Sequence, residues 1–299
     1  MMDRLHLMSV FVAVAEEESF AAGARRLGMS PPAVTRAISA LEEHLKVKLL
    51  NRTTRYVRMT EAGQRYFDDA RRIISEIDEA DDAAAGVNAE ARGHLAVTAP
   101  VLFGKMFVLP AIVDYLRRYP AMEVSALFLD RPVNLLEEGL DVGIRIGELA
   151  DSSMKAIRVG SVRRVLCAAP DYLEKYGTPT SLSDLKDHTL IAVTVSPTHE
   201  WKFGVDSALS PVRIKPRLIV NNNDAAIEAV LQGFGISRLL SYQIADNLAA
   251  KQLEIILSQF EPAPMPIHVL HREGRYASVK ARAFIDLVAS RLREDNNLR

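Results

Sequence analysis

Residues 19–45 read SFAAGARRLGMSPPAVTRAISALEEHL, and their pattern predicts two helices joined by a short turn. Ser19 can cap a first helix, because a serine hydroxyl accepts a free amide of the first turn. Gly28 ends that helix, and a second one begins at Pro31, where the missing N–H of proline costs nothing. Ser30 stands at the cap position of the second helix. Two helices joined by a short turn that contains glycine form a helix-turn-helix.

The second helix has two different faces. Its apolar residues recur at intervals of three and four, the pattern of a helix packed on a core. They are Ala33, Val34, Ala37, Ile38, Leu41 and Leu45. The opposite face carries Thr35, Arg36 and Ser39 near its start. Short hydroxyls and arginine at this end of a helix suit the reading of bases in the DNA major groove, although many protein-binding modules share the general pattern.

Charge is concentrated around this motif. Residues 25–58 hold eight basic and two acidic side chains, and residues 61–92 hold nine acidic and four basic ones. The remaining 93–299 are close to neutral, with 24 basic and 23 acidic residues. A basic module on a neutral protein indicates contact with a polyanion, while a solvated charged surface is the alternative. Residues 51–58, NRTTRYVR, predict a polar hairpin that suits a wing along the phosphate backbone.

Length and composition set the broad class of protein. The chain has 299 residues, of which 48% are hydrophobic and 25% charged, as in soluble proteins of about two domains. The lone Cys167 cannot form an internal disulfide and fits a reducing cytosol. Residues 7–15 have some features of an export signal, but they lack its positive flank and show helical spacing. We therefore favour a folded amphipathic helix and a cytoplasmic location.

The family resemblance lies in residues 11–63, and especially in residues 15–63, AEEESFAAGARRLGMSPPAVTRAISALEEHLKVKLLNRTTRYVRMTEAG. This stretch resembles the winged helix-turn-helix of LysR-type transcriptional regulators, and the layout of the remaining chain is also similar to that family. Pro31 stands where the family often has glutamine, so base reading shifts to its neighbours. The resemblance and the helix pattern together give the candidate DNA-binding residues, with phosphate contacts assigned to the last three. These residues are Ser30, Pro31, Pro32, Thr35, Arg36, Ser39, Arg52, Thr53 and Arg55. Arg25 and Arg26 are interpreted as solubilising residues.

A long acidic helix is predicted after the hairpin, with Thr60 as its cap. Small or apolar residues recur along it at alternating steps of four and three, which predicts a coiled-coil seam. The seam residues are Tyr66, Ala70, Ile73, Ile77, Ala80, Ala84 and Val87. This helix can join two copies of the chain or pack on its own C-terminal domain, and we favour a homodimer. The resemblance further implies a homotetramer built from dimers.

Residues 94–299 alternate between strand and helix patterns. Strands are predicted at 94–99, 123–129, 140–147, 163–169, 190–195 and 217–221. Helices are predicted at 100–119, 132–138, 171–176, 182–186, 224–232 and 241–249. The alternation predicts a parallel sheet covered by helices, and breaks near 160–164 and 262–266 indicate two subdomains. This layout resembles the periplasmic-binding-protein-like effector domain of LysR-type regulators.

The predicted fold class is therefore multidomain, with three parts. An all-α winged helix-turn-helix DNA-binding domain spans 1–60, and a long linker helix for dimerisation spans 61–92. An α/β effector-binding domain of two subdomains spans 93–299. Its first subdomain covers about 93–163 and 267–299, and its second covers about 164–266.

Small ligands of open α/β sheets bind at the carboxyl ends of strands, near helix N-termini. That rule selects the following candidate effector-binding residues. They are Thr98, Pro100, Val101, Leu102, Phe103, Asp130, Arg131, Arg145, Thr194, Ser196, Trp201, Asn222, Asn223 and Asp224. Each has an alternative: the Asn-Asp run can be only a helix cap, Trp201 can be core, and Arg145 can pair with a carboxylate.

Enzymatic signatures are missing from the sequence. No nucleophile elbow, zinc helix, phosphate loop or C-x-x-C motif occurs, and the histidines show no metal-ligand spacing. Gly233 to Arg238 matches half of a dinucleotide fingerprint, but it follows a helix instead of a strand. We predict a DNA-binding regulator controlled by a small-molecule effector, with no other cofactor and no membrane partner. A solute-binding protein and an enzyme fused to a helix-turn-helix are the alternatives.

Overall fold

The computed structural model describes residues 3–52, 57–85, 90–149, 154–193, 200–205, 208–272 and 278–298. It divides into two compact units, Met1–His94 with Glu137–Gly139, and Leu95–Leu136 with Leu140–Arg299. The first unit is mostly helical, and the second contains two five-stranded sheets. In these ranges no helix combines the length and hydrophobicity needed to cross a bilayer.

Three helices form the core of the first unit. They are α1 (Arg4–Glu16), α2 (Phe20–Arg26) and α3 (Pro31–Leu45). The Ser19 hydroxyl accepts the N–H of Ala22 and so caps α2 as predicted. Gly28 has a φ of +63°, which glycine adopts without strain, and the chain turns there towards α3. Apolar residues from all three helices pack together, including Phe11, Val34 and Ile38, so the predicted helix-turn-helix is confirmed.

A short hairpin and a long helix complete this unit. Strands β1 (Leu50–Arg52) and β2 (Val57–Met59) pair antiparallel, as the sequence predicts for residues 51–58. Helix α4 (Glu61–Ala85) follows, and the Thr60 hydroxyl accepts the N–H of Gly63 at 2.9 Å. The same hydroxyl donates to the backbone oxygen of Lys48 at 2.7 Å. Thr60 thus caps α4 and ties its start to the chain entering the hairpin.

The first sheet of the second unit is formed by strands from the N-terminal and C-terminal parts of that unit. Its strands are β3 (Gly93–Ala99), β4 (Met122–Phe128), β5 (Val142–Ile146), β6 (Met154–Val162) and β14 (Met265–Arg272). The order across the sheet is β4-β3-β5-β14-β6. Strand β3 runs parallel to β5, whereas β14 runs antiparallel to both of its neighbours.

Helices from both ends of the unit pack together beside this first sheet. They are α5 (Val101–Phe103), which continues through a π-helical turn at Gly104–Val108 into α6 (Leu109–Arg118), and α10 (Val279–Glu294). Tyr115 of α6 lies 5.4 Å from the ring of Phe284 on α10, and its hydroxyl donates to the Lys280 backbone oxygen at 2.9 Å. This contact fixes α10 against α6.

The second sheet is built from the intervening chain. Its strands are β7 (Arg164–Ala168), β8 (Leu190–Val193), β11 (Leu218–Val220), β12 (Ile236–Leu240) and β13 (Glu254–Ile256). The order is β11-β8-β12-β7-β13, and β7 runs antiparallel to both neighbours. A separate hairpin consists of β9 (Glu200–Val205) and β10 (Ala208–Arg213).

Short helices cover this second sheet. They are α7 (Pro170–Tyr176), α8 (Asn223–Leu231) and α9 (Ala245–Ala249), with 3-10 turns at Leu182–Asp187, Ser241–Ile244 and Ser258–Phe260. One face of the sheet packs on Trp201 and Phe203 of the hairpin. The other face carries Val165 and Cys167 and packs on α8 through Ala226 and Val230. The hairpin and α8 therefore lie on opposite sides of the sheet.

Two expectations for the second unit need correction. Both sheets are mixed and not parallel, because β7 and β14 run against their neighbours. The helix predicted at 132–138 is a turn, since the Asn134 side chain accepts the N–H of Leu136 and Gly139 adopts a φ of +64°. The break predicted near 160–164 is found, because β6 of the first sheet ends at Val162 and β7 of the second sheet begins at Arg164. The hairpin β9–β10 and the C-terminal helix α10 were not predicted.

Candidate nucleic-acid interface and effector site

Helix α3 presents a polar face to solvent along its first half. Val34, Ala37, Ile38 and Leu41 are buried in the core of the unit. The residues on the opposite side, Ser30, Pro31, Pro32, Thr35, Arg36 and Ser39, are all exposed. The fold therefore brings together, on one surface, all the candidate DNA-binding residues that the sequence places on or next to this helix.

Two hydroxyls on this face behave differently. Ser30 occupies the cap position of α3, but its side chain makes no capping bond. The sequence prediction of its position is right, and its hydroxyl keeps its hydrogen-bonding capacity for an external group. The Thr35 hydroxyl donates to the backbone oxygen of Pro31 at 3.0 Å. Because the hydroxyl proton is used in this bond, the Thr35 hydroxyl can bind a ligand mainly as a hydrogen-bond acceptor.

Glu42 connects α3 to the hairpin, and the sequence reading missed it. Its side chain is only 3% exposed and accepts the backbone N–H groups of Leu49 at 3.0 Å and Leu50 at 3.2 Å. Lys48 donates to the other carboxylate oxygen at 2.6 Å. Burial raises the pKa of Glu42, but the bonds from Lys48, Leu50 and Leu49 outweigh burial and lower the pKa below its ordinary value. The sequence did indicate that Glu42 is buried, because it lies four residues after Ile38 and so on the same buried face of α3.

The start of α4 touches the same segment. A Cβ added to Gly63 would lie 2.0 Å from the backbone oxygen of Leu49, so only glycine fits there. The N–H of Thr60 also donates to that oxygen at 2.9 Å. Glu42, Thr60 and Gly63 together fix the entry and exit of the hairpin relative to α3.

The structure describes the candidate phosphate-contact residues only in part. Thr53 and Arg55 are outside the described residues, and of Arg52 only the backbone in β1 is described. Arg26 has a structural contact, because its guanidinium lies 2.6 Å from Glu16, which also binds Arg71 at 3.2 Å. These pairs connect α1, α2 and α4, which goes beyond the solubilising role expected for Arg26.

The predicted seam of α4 divides into two parts. Tyr66 packs against Phe11 of α1, with 5.6 Å between ring centres, and Ala70 is fully buried. Ala70 thus belongs to the core of its own unit, and Tyr66 packs on that core while staying partly exposed. Further along, Ile73 is partly exposed, Ile77 is 36% exposed and Ala80 is exposed. The side chain of Ala84 and all of Val87 lie outside the described residues.

Four of the candidate effector residues form two contacts beside the first sheet. The Val101 N–H donates to the Asp130 carboxylate at 3.0 Å, which joins the start of α5 to the end of β4. The Arg145 guanidinium lies 3.5 Å from the Thr98 hydroxyl, because β3 and β5 are parallel neighbours. Arg145 also donates to the Ile144 backbone oxygen at 2.8 Å. One backbone amide, a carboxylate and a guanidinium therefore lie near the carboxyl ends of these strands.

Three apolar candidates belong to the core instead. Leu102 and Phe103 are buried, and Trp201 is 7% exposed within the second sheet's core, as its alternative reading anticipated. Phe103 packs on Phe107 at 4.8 Å and on Tyr242 at 5.3 Å. Tyr242 lies in the turn after β12, so this aromatic cluster joins the two sheets. Burial, more than any other influence, raises the pKa of Tyr242. The sequence reading missed both Phe107 and Tyr242.

The remaining candidates make other contacts or lie outside the described residues. Asn222 caps α8, since its side chain accepts the N–H of Ala225 at 2.8 Å, and Asn223 and Asp224 form the first turn. Their cap role is the alternative that the sequence already offered. Arg131 donates to the backbone oxygen of Pro132. Pro100 stands at the cap position of α5, and Thr194 and Ser196 lie outside the described residues.

Neither metal nor thiol chemistry finds support in this part of the chain. Among the described residues, no three His, Cys, Asp or Glu side chains lie close enough to hold a metal ion. Cys167 is fully buried in β7, and burial raises its pKa to about 12. A thiol of this kind is almost entirely protonated at neutral pH and is a poor nucleophile.

Comparison with known proteins supports a regulator. The HTH-type transcriptional activator AaeR of Escherichia coli strain K12 is 32% identical over 95% of this chain and 93% of its own length. An HTH-type transcriptional repressor of Pseudomonas aeruginosa is also 32% identical, over 96% of this chain and 92% of its own. These relatives are transcriptional regulators and not enzymes, which favours the regulator hypothesis over its alternatives.

Solved structures of similar proteins share the whole fold. CrgA, a LysR-type transcriptional regulator from Neisseria meningitidis, superposes with a TM-score of 0.62 at 30% identity and covers 96% of this chain and 98% of its own. The Vibrio cholerae virulence activator AphB gives a TM-score of 0.60 at 25% identity, over 96% and 99% of the two chains.

Two family descriptions match the chain in sequence order. The bacterial regulatory helix-turn-helix of the lysR family matches residues 5–64, which contain α1 to α3 and the hairpin. The LysR substrate binding domain matches residues 88–293, which contain both five-stranded sheets. Because these matches follow the order of the fold and together span nearly all of it, the chain belongs to the LysR family of transcriptional regulators.

Proposed function

We propose that the exposed face of α3 reads promoter DNA in the major groove. The observation that carries the proposal is that the polar and apolar residues of α3 lie on opposite faces of the helix. Its apolar residues are buried, while Ser30, Pro32, Thr35, Arg36 and Ser39 are all exposed. An arginine can bind a guanine edge with two hydrogen bonds, and short hydroxyls can bind either bases or phosphates. Pro31 contributes surface contact at the helix start.

The hairpin supplies the phosphate contacts in this proposal. Arg52, Thr53 and Arg55 follow directly after Leu49 and Leu50, whose amides are held by Glu42. A rigid base for the hairpin lets basic residues reach the backbone in a fixed register with α3. These contacts carry affinity and salt dependence, whereas the α3 contacts carry sequence preference.

Two copies of the chain are proposed to act together through α4. The support is the run of partly exposed and exposed residues Ile73, Ile77 and Ala80, with Ala84 and Val87 continuing the same spacing. A homodimer would place two heads on two half-sites of the duplex. We further propose that dimers assemble into tetramers in the cytoplasm, where the DNA is located.

The C-terminal part is proposed to sense the small-molecule effector. The support is the group of Thr98, Val101, Asp130 and Arg145 at the strand ends of the first sheet. We assign residues 1–60 to DNA binding, 61–92 to dimerisation and 93–299 to sensing. A ligand that favours one arrangement of the two subdomains would change which half-sites the heads hold.

Chemical protection of guanines tests the DNA proposal directly. The reagent dimethyl sulfate methylates guanine N7 in the major groove, so a helix lying there protects the base. On the fragment upstream of the protein's own gene, we expect protected guanines in two half-sites about one helical turn, or a multiple of it, apart. Protection that does not localise to any sequence, or that also occurs on a shuffled fragment, would refute the proposal.

A further inference from the structure

A cavity lies in the C-terminal unit at the place where the chain crosses between its two sheets. Its volume is about 970 Å³. One crossing lies between the end of β6 at Val162 and the start of β7 at Arg164, and the other leads into β14 at Met265. Arg164, Arg238, Leu209, Pro262 and Met265 are among the lining residues. The described lining includes none of the candidate effector residues.

Two arginines lie side by side in this cavity. In the antiparallel pairing of β7 with β12, Arg238 is opposite Leu166 and Arg164 is opposite Leu240. Positions two apart on a strand share a face, so both guanidinium groups lie on the same side of the sheet. Burial lowers the pKa of both arginines, and the neighbouring charge of Arg164 helps to lower the pKa of Arg238 to about 9.

The hydrogen bonds of these arginines are far from saturated within the described part of the chain. Arg238 donates to the backbone oxygen of Lys202 at 2.7 Å and lies over the rings of Trp201 and Phe203. Arg164 contacts the sulfur of Met265 at 3.3 Å, which is a weak acceptor. Each guanidinium has five N–H donors, so most of them are available. Neither arginine forms an ion pair with a described residue.

The carboxylates that line the cavity do not neutralise the pair. Both oxygens of Glu261 lie 3.1 Å from a guanidinium nitrogen of Arg163, which therefore takes this carboxylate. Glu148 and Glu200 are exposed to solvent, as is the basic Lys202. Two partly buried positive charges thus lie together without a carboxylate of their own. Such an arrangement is costly unless an anion from outside completes it.

We propose that this cavity binds an organic carboxylate, whose charged group is held by Arg164 and Arg238 and whose apolar body rests on Leu209, Pro262 and Met265. A planar guanidinium matches the two oxygens of a carboxylate, and the volume is that of a small-molecule site. The hairpin closes on the crossing segment here, since a Cβ on Gly204 would lie 2.6 Å from the Glu261 oxygen. A bound acid would therefore stabilise the junction of the two sheets. Its effect on transcription rests on the proposed function, but its binding does not.

The test measures binding to the full chain by calorimetry and by thermal unfolding at constant ionic strength. The probes are benzoate and hexanoate, each compared with its neutral amide. We expect a carboxylate to bind and raise the Tm, its amide to bind at least about tenfold more weakly, and Arg238→Met or Arg164→Met to weaken the acid at least about tenfold. Arg117→Met, at an exposed arginine, is the matched control. Without ligand, Arg238→Met should keep or raise the Tm, because it removes an uncompensated charge.

Several results would overturn the proposal. One such result is that neither acid binds more tightly than its amide, and another is that Arg238→Met binds the acid as well as the unchanged chain does. If Arg145→Met abolishes binding while Arg238→Met retains it, the acid occupies the candidate effector residues beside the first sheet. A large loss of Tm in ligand-free Arg238→Met would make that arginine a structural residue. If the unchanged chain binds the acid but does not bind promoter DNA, the result counts against the proposed function and not against this site.

Discussion

Replacing Glu42 with alanine should destabilise the DNA-binding head without affecting the C-terminal unit. The substitution leaves the buried amides of Leu49 and Leu50 without an acceptor. An unsatisfied buried donor costs about 1–3 kcal/mol. Removing the carboxylate also removes the cost of burying it, so the net loss should be about 2–4 kcal/mol. That is a large part of the stability of a small domain.

Urea unfolding with two probes separates the two units. Far-UV circular dichroism follows the helices of both units, whereas fluorescence of Trp201, the one tryptophan of the chain, reports only on the second sheet, so a loss of helix that precedes the fluorescence change belongs to the head. Glu42→Ala should shift the first transition to lower urea and leave the second in place. Lys48→Ala is the matched control, because its side chain is 75% exposed and its ion pair should contribute less than about 1 kcal/mol. A change below about 0.5 kcal/mol for Glu42→Ala would refute the reasoning.

The same carboxylate should make the head sensitive to acid. Its folded pKa is lowered, so its stabilisation is fully present above the ordinary value of 4.5 and is lost as pH falls through the folded pKa. The stability difference between the unchanged chain and Glu42→Gln should therefore shrink below pH 4.5. A difference that grows on acidification would contradict this sign.

Three further substitutions or reagents test other parts of the structure. Gly63→Ala should lower the free energy of unfolding of the head by about 1–3 kcal/mol, because its Cβ overlaps the Leu49 oxygen. The control Gln64→Ala, at an exposed position, should change it little, and thermal unfolding compares the two variants. Ile77→Asp should weaken self-association at least about tenfold in sedimentation experiments, whereas the control Asp81→Asn should leave the dissociation constant unchanged. An unchanged dissociation constant for Ile77→Asp would show that α4 is not the interface. Cys167 should resist a thiol reagent at neutral pH until the chain is denatured, and rapid labelling of the native protein would show that it is not buried.

The local features of the head could be predicted from sequence, because they depend on neighbours within a turn or two. The spacing from Val34 to Leu41 selects the buried face of α3, and Ser19 caps α2 where expected. Glu42 escaped prediction because its partners are amides seven and eight residues later, which only the hairpin brings back. The same reason explains Tyr66, whose apolar spacing fits a seam equally well whether it faces α1 or a second copy.

Strand direction and contacts between distant strands could not be predicted. Hydrophobic alternation is the same in parallel and antiparallel strands, so nothing in residues 265–272 shows that β14 runs against β5. Arg145 and Thr98 meet because β3 and β5 are neighbours, as the strand-end rule anticipated. Arg164 and Arg238 are far apart in sequence and share a cavity only through the pairing of β7 with β12.

The most direct test of the central claim is the sequence preference of Arg36→Ala. Affinity is measured for the fragment upstream of the gene and for a shuffled fragment of equal length, at one fixed salt concentration. We predict that Arg36→Ala loses about 1–3 kcal/mol on the natural fragment and little on the shuffled one, while Arg25→Ala, an exposed arginine on α2, changes neither. Equal losses on both fragments would contradict the claim that this face of α3 reads bases.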